Sequence, residues 1–131
     1  MNELNIIIAG SRNFDDYELL KYEVTRIIKE AGDAEKHIRI ISGGARGADR
    51  LGEQFASEFG YDIERFPADW DRYGKQAGFL RNVEMAEAAV QGGNDGRLIA
   101  FWDGMSRGTR HMIDTALKYG LTIHIIHFEK D

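Results

Sequence analysis

The sequence predicts an α/β fold with a parallel sheet between two layers of helices. Short apolar runs alternate along the chain with segments whose apolar residues recur at helical spacing. The runs are apolar almost throughout, which is typical of parallel strands covered on both faces. The chain has 131 residues, 43% of them hydrophobic, and this length suits one domain with its own core. We therefore expect a single domain over residues 1–131.

The first half of the chain contains two of the predicted strands and two helices. The run Leu4–Ala9 reads as a buried strand that ends at Gly10. The pair Asp15-Asp16 precedes a helix, and the second strand and second helix follow it. Their predicted bounds are Tyr17–Ala31 for the first helix, Ile38–Ile41 for the strand and Ala48–Phe59 for the second helix.

The second half continues the alternation and completes five strands. Pro67, the only proline, ends the third strand. The predicted elements are strand Tyr61–Phe66, helix Lys75–Val90, turn Gln91–Gly96, strand Arg97–Trp102, helix Arg107–Tyr119 and strand Leu121–Phe128. This βαβαβαβαβ order predicts a Rossmann-like three-layer domain with right-handed crossovers. We favour the strand order 3-2-1-4-5 over the flavodoxin-like order 2-1-3-4-5.

Composition and charge exclude several classes of protein. The chain lacks cysteine, so disulfides and thiolate chemistry are excluded. The net charge of −5 argues against nucleic acid as a partner. No apolar run approaches the length of a membrane span, and the N-terminal residues do not form a signal peptide. We expect a cytoplasmic protein with no membrane partner, and the sequence leaves open whether it forms a homo-oligomer.

Glycines, arginines and aromatic residues concentrate directly after the predicted strands. The segments are GSRNF (10–14), SGGARGAD (42–49), FPADWDRYGKQAGFLRN (66–82) and WDGMSRGT (102–109). Because the carboxyl ends of parallel strands meet at one edge of a sheet, we expect one pocket there. The candidate ligand-binding residues are Gly10, Ser11, Arg12, Ser42, Gly43, Gly44, Ala45, Arg46, Gly47, Asp49, Trp70, Tyr73, Lys75, Gly78, Arg81, Asn82, Asp103, Ser106, Arg107, Gly108 and Thr109.

The segment SGGARGAD has the residue types of a phosphate-binding loop. Its glycines leave backbone amides open to a ligand, and Arg46 supplies a counter-charge. Asp49, in the first turn of the next helix, can cap amides or bind a hydroxyl. The alternative is a tight strand-to-helix connection with an ordinary helix start. Amides and hydroxyls around Ser106 can bind an anion or simply cap a helix.

Two aromatic residues and several cations complete the predicted site. Trp70 and Tyr73 can stack on a base or form an apolar lid. Gly78 is costly within a helix, by about 1 kcal/mol relative to alanine, so a close approach at this position explains it. The cations at the predicted edge suit a ligand with one or more phosphates; they are Arg12, Arg46, Lys75, Arg81 and Arg107.

The familiar cofactor motifs are absent. There is no G-x-G-x-x-G, and Ser42 stands where a dinucleotide-binding strand would end in an acid. The Walker pattern of phosphate-binding NTPases is also missing. His124 and His127 lie three apart on a strand and so on opposite faces, which makes them a poor metal pair. We therefore expect neither a resident cofactor nor a metal.

Four segments together resemble the YspA, cpYpsA-related branch of the SLOG superfamily. They are GSR-x-F, SGGARGAD, W-x-x-Y-G-K-x-A-G-x-x-R-N (70–82) and D-G-x-S-R-G-T (103–109). That superfamily includes the DNA-processing protein DprA, the LOG phosphoribohydrolases and YpsA-like proteins. The resemblance implies a Rossmann-like fold whose pocket binds a nucleotide or a nucleotide-derived ligand, related to NAD, ADP-ribose or a cyclic nucleotide.

Three functions remain open at this point. The leading hypothesis is a sensor or sequestering protein for such a nucleotide. An alternative is a glycosidase or phosphoribohydrolase that uses Asp49, Asp103 or Asp114 as a base. LOG enzymes carry glutamates after the fourth-loop Gly-Thr, whereas Arg110, His111 and Met112 follow Thr109 here, which leaves the catalytic residues unknown. The third hypothesis is single-stranded DNA binding in the manner of DprA.

Overall fold

The predicted α/β architecture is confirmed by a computed structural model, which describes residues 3–32 and 36–129. All five strands are parallel, in the order β3-β2-β1-β4-β5. The elements are β1 (Glu3–Gly10), α1 (Tyr17–Glu30), β2 (His37–Ser42), α2 (Ala48–Phe59), β3 (Asp62–Arg65), α3 (Trp70–Tyr73), α4 (Ala77–Val90), β4 (Asp95–Trp102), α5 (Arg107–Lys118) and β5 (Thr122–His127).

The central strand β1 shows why helices cover both faces of the sheet. Successive side chains of a strand point to opposite faces. Ile6 and Ile8 belong to the core cluster formed with α1 and α2. Ile7 belongs to the second cluster, which contains Met85 of α4 and Met112 of α5. Each of these fully buried side chains contributes roughly 1.5–3 kcal/mol, so two cores hold the strand at the centre.

The predicted turn Gln91–Gly96 was wrong at its end, because β4 already begins at Asp95. Asp95 and Gly96 pair with Leu4 and Asn5 of β1. A Cβ on Gly96 would lie 2.8 Å from the carbonyl oxygen of Ala89. The glycine therefore marks close packing against the end of α4, and the sequence analysis interpreted it as a turn signal.

The helix predicted to start at Lys75 begins at Ala77 and is preceded by a separate short helix, α3. The carboxylate of Asp69 accepts a hydrogen bond from the amide of Arg72 at 3.1 Å and so caps α3. Gly74, with φ of 60°, ends it. Within residues 3–32 and 36–129, no helix combines the length and apolar character needed to cross a bilayer.

Candidate functional site

Two cavities lie at the carboxyl edge of the sheet. The first, which we call the inner cavity, encloses about 150 Å³ and is lined by Ala9, Gly10, Arg12, Ala45, Asp49, Trp70, Lys75, Gly78, Phe79, Arg81, Asn82, Met85, Ser106, Gly108, Thr109 and Met112. The second, the arginine cavity, encloses about 320 Å³ and is lined by Arg12, Gly43, Gly44, Ala45, Arg46, Arg50, Pro67, Ala68, Trp70 and Arg81.

The two cavities form one depression, because they share four lining residues: Arg12, Ala45, Trp70 and Arg81. Small-molecule sites typically measure roughly 300–1,000 Å³, and the joined cavities fall within that range. The strand-end loops after β1, β2 and β4 all contribute, as expected for the carboxyl edge of a doubly wound sheet.

The arginine cavity is strongly positive in a chain of net charge −5. Four arginines line it, and none of its lining residues is acidic. The guanidinium groups of Arg12, Arg46 and Arg50 make no hydrogen bond or ion pair with any residue that the structure describes. Arg81 donates to the carbonyl oxygen of Gly43 at 2.6 Å. This concentration of unpaired cations suits an anionic ligand.

Asp49 lies under the loop that follows β2 and is 5% exposed. Its Oδ2 accepts a hydrogen bond from the amide of Ala45 at 3.3 Å. Burial raises the pKa of Asp49 to about 6, and the nearby Glu53 adds to this, while the Ala45 amide and Arg81 act in the opposite direction. The carboxylate thus braces the loop, and Gly47, which precedes α2, provides no side-chain cap.

Gly43 allows Arg81 and Asp49 to approach the same stretch of backbone. A Cβ at this position would lie 2.5 Å from Nη1 of Arg81 and 2.9 Å from Oδ2 of Asp49. Burial lowers the pKa of Arg81, as does Arg12, while Asp49 acts in the opposite direction. Only glycine leaves space for both side chains at this position.

The other two glycines of the loop differ in what surrounds them. Gly47 has φ of 82°, and a Cβ there would lie 2.7 Å from the carbonyl oxygen of Arg12. This close approach joins the loops after β1 and β2. Gly44 also has positive φ, of 75°, but a Cβ there would have no atom within 4 Å. Of the two, only Gly44 lines a cavity.

Ser11 and Asp103 hold two loops together beneath the site. The amide of Asp103 donates to Oγ of Ser11 at 3.1 Å. Oδ1 of Asp103 accepts hydrogen bonds from the amides of Met105 (2.8 Å) and Ser106 (2.9 Å). These two amides hold the pKa of Asp103 below its usual range. The carboxylate therefore shapes the loop that leads into α5.

Ser42 has a similar bracing role at the end of β2. Its hydroxyl donates to Oε2 of Glu53 at 2.7 Å and accepts from the amide of Gly44 at 3.0 Å. Glu53 also pairs with Arg65 of β3 at 2.9 Å. The sequence analysis did not single out Glu53, although it lies four residues after Asp49 and so on the same helix face.

Trp70 and Tyr73 lie in different places. Trp70 lines both cavities and is 51% exposed. A Cβ on Gly78 would lie 3.3 Å from its ring, so the glycine gives the indole room to lie against α4. Tyr73 lines neither cavity and has the guanidinium of Arg72 at 5.1 Å from its ring centroid.

The structure brings most, though not all, of the predicted residues together. Those that line at least one of the two cavities are Gly10, Arg12, Gly43, Gly44, Ala45, Arg46, Asp49, Trp70, Lys75, Gly78, Arg81, Asn82, Ser106, Gly108 and Thr109. Those that line neither are Ser11, Ser42, Gly47, Tyr73, Asp103 and Arg107. Asp114 is exposed on α5 and also lies outside both.

Several lining residues were missed because their sequence signal is that of ordinary core. Met85 and Met112 form an apolar floor, and Phe79 stacks on His111 at 4.2 Å between ring centroids. Nδ2 of Asn82 lies 3.0 Å from Nδ1 of His111. Burial lowers the pKa of His111, while Asp114 acts in the opposite direction. Among the residues described, no group of three or more histidines and carboxylates could hold a metal ion.

Comparison with known proteins identifies the family. The family described as "YspA, cpYpsA-related SLOG family" matches residues 4–73, more than half of the chain. The chain belongs to this SLOG family. The membership predicted from the strand-end motifs is thereby confirmed. The chain is also 35% identical over 127 residues to the Gene 61 protein of Mycobacterium phage D29, covering 90% of this chain and 92% of that relative. No solved structure gives a significant match.

Proposed function

We propose that this SLOG protein binds a nucleotide or nucleotide-derived ligand at the carboxyl edge of the sheet, as a sensor or a sequestering protein. Membership of the SLOG family supports a nucleotide-related role at a general level. The observation that carries the proposal is the arginine cavity, where three unpaired arginines adjoin a half-exposed tryptophan.

Phosphate groups would occupy the arginine cavity. Arg12, Arg46 and Arg50 supply positive charge from two neighbouring loops and the first turn of α2. The start of α2 has no side-chain cap, and the positive end of the helix dipole there favours an anion. Bidentate arginine–phosphate hydrogen bonds are among the strongest available in proteins.

The base would occupy the inner cavity, against Trp70. The indole supplies a planar face, and Met85 and Met112 supply an apolar floor. Base–aromatic stacking contributes roughly 1–3 kcal/mol per base. Buried Asp49 lines the same cavity and is placed to accept a hydrogen bond from a ligand hydroxyl.

Tryptophan fluorescence tests this proposal, because the chain has only two tryptophans. Trp102, whose Nε1 donates to the carbonyl oxygen of Ser106, lies outside both cavities. In a Trp102→Phe variant the emission comes from Trp70 alone. Titration with AMP, ADP-ribose and NAD should quench it saturably for at least one of them.

A pair of arginine variants supplies the control. Arg46→Gln should weaken binding at least about tenfold, since a charge-assisted hydrogen bond contributes roughly 1.5–3 kcal/mol. Arg110→Gln alters an exposed arginine that lines neither cavity and should leave binding unchanged. An equal loss of affinity in both variants would show that binding depends only on the overall charge of the protein, and would refute the proposal that the ligand binds in the arginine cavity.

The buried carboxylate of Asp49 favours a second candidate function, hydrolysis of the bound nucleotide. A pKa of about 6 lets a carboxyl group act as a general acid or base near neutrality. Chromatography of AMP, ADP-ribose and NAD after incubation would reveal products, and Asp49→Asn should abolish them while binding persists. Intact nucleotides after prolonged incubation with the folded protein would dismiss this candidate.

A further inference from the structure

A third cavity lies beyond the arginine cavity. This outer groove encloses about 440 Å³. It shares Pro67, Ala68 and Arg81 with the arginine cavity, but only Arg81 with the inner cavity. The three cavities therefore form a row, with the arginine cavity in the middle and Arg81 bordering all of them.

Each end of this row contains a half-exposed aromatic ring. Trp70 lines the inner cavity as well as the adjoining arginine cavity, and Tyr73 lines the outer groove; their exposed fractions are 51% and 44%. Leu80, 41% exposed, lies in the outer groove with Tyr73. The guanidinium of Arg72 already lies 5.1 Å from the Tyr73 ring centroid, and half-exposed rings of this kind are stacking surfaces for planar groups, whether a guanidinium or a base.

The charge of the lining residues also differs between the central cavity and the outer groove. The central cavity has four arginines and no acidic residue in its lining. The outer groove has Asp69 and Glu84 in its lining as well as Arg72 and Arg81. The two carboxylates disfavour a phosphate in the outer groove, whereas an uncharged base meets no such penalty.

From this arrangement we infer that the ligand is a dinucleotide, in which two nucleosides are joined through a phosphate bridge. One base lies against Trp70, the bridge lies among the arginines, and the second base stacks on Tyr73. The inference rests on the proposed function and narrows it, because a mononucleotide would leave the outer groove and Tyr73 unused.

Two probes of equal charge isolate the contribution of the second base. ADP-ribose and diadenosine diphosphate both contain adenosine and a bridging diphosphate, and they differ by one adenine. Calorimetric titration should give an affinity for diadenosine diphosphate about tenfold higher than for ADP-ribose, as expected for one additional stacked base.

Variants of Tyr73 test whether the gain arises in the outer groove. Tyr73→Ala should bring the ratio of the two affinities to about one, and Tyr73→Phe should preserve the ratio near the wild-type value. Tyr22→Ala, which removes a 66% exposed tyrosine from α1, is the matched control and should also preserve the ratio.

The outcomes separate this inference from the proposed function. Equal affinities in the wild-type protein, or a ratio that survives Tyr73→Ala, would overturn the dinucleotide assignment while nucleotide binding stands. If neither probe nor AMP binds to folded protein, the proposed function and this inference both fail.

Discussion

The two ends of the same sheet arrange their charges in different ways. Near the amino ends of the strands, acidic and basic groups pair within and between strands: Arg39 with Glu3 and Glu64, Lys36 and Arg97 with Asp95, and His37 with Asp62. At the carboxyl edge, Arg12, Arg46 and Arg50 have no acidic partner among the residues described, and Asp49 is buried with a raised pKa. The amino end therefore pairs its charges, whereas the carboxyl edge combines the Glu53–Arg65 pair with three arginines that lack such a partner in the described part of the chain.

The largest expected effect comes from the glycine that joins two loops at the carboxyl edge. Gly47→Ala should lower the free energy of unfolding by about 3 kcal/mol or more, because it combines positive φ with a clash against the backbone of Arg12. Chemical denaturation would measure the loss.

Gly44→Ala is the matched control for this substitution. It also has positive φ but meets open space, so only the backbone strain applies, about 1 kcal/mol. Equal losses for the two variants would contradict the view that Gly47 is needed for the close approach of the loops.

A second expected effect is a gain in stability when Asp49 loses its charge. The native pKa of about 6 lies above the ordinary value of 3.8, so the native state holds a proton more tightly than the unfolded state. Wild-type stability should therefore contain a contribution that is present below about pH 4 and is lost as pH rises through about 6. Asp49→Asn should remove this loss and raise the free energy of unfolding at neutral pH by about 3 kcal/mol.

Asp103 should contribute a pH dependence of stability opposite to that of Asp49, so it serves as the comparison. Its pKa is lowered by the amides of Met105 and Ser106, so its contribution is present above the ordinary carboxylate pKa and is lost as pH falls. Denaturation of both asparagine variants across this pH range should show opposite trends. The same trend for both would contradict the assigned role of burial at Asp49.

A third prediction is that substitutions at the amino ends of the strands change stability, whereas substitutions at the carboxyl edge change ligand affinity. Asp95→Asn breaks the pairs with Lys36 and Arg97 and should cost about 1 kcal/mol of stability with no change in ligand affinity. Arg46→Gln should reduce affinity with no measurable loss of stability, because Arg46 has no partner among the described residues. A stability loss in Arg46→Gln would show that the carboxyl edge is also a structural charge network.

The smallest expected effect concerns single-stranded DNA. A chain of net charge −5 with one compact group of arginines should show no salt-sensitive retention of an oligonucleotide. A filter-binding assay at low salt measures this, and clear retention would favour the DprA-like alternative over a small ligand.

Much of the fold was predictable because hydrophobic periodicity is local. The run Leu4–Ala9 and the helical spacing that follows each strand predicted the succession of strands and helices, and the favoured strand order is the observed one, β3-β2-β1-β4-β5. The end of the predicted turn at Gly96 was wrong because glycine there serves tight packing against α4. Sequence alone does not distinguish that role from a turn.

The loops that line the cavities at the carboxyl edge were predictable, but the direction of each side chain was not. Ser42 and Asp103 look like ligand residues in the sequence, yet they bond to Glu53 and to the amides of their own loop. Met85 and Met112 have the spacing of core residues, and they also form the cavity floor. These distinctions depend on tertiary contacts that no local pattern encodes.

Calorimetric titration of the wild-type protein with AMP, ADP-ribose, NAD and cyclic ADP-ribose isomers tests the central claim most directly. The account predicts saturable binding of at least one of these nucleotides, weakened by added salt because arginines contact its phosphates. Absence of binding by all of them, in protein shown to be folded, would contradict the claim that the carboxyl edge is a nucleotide site.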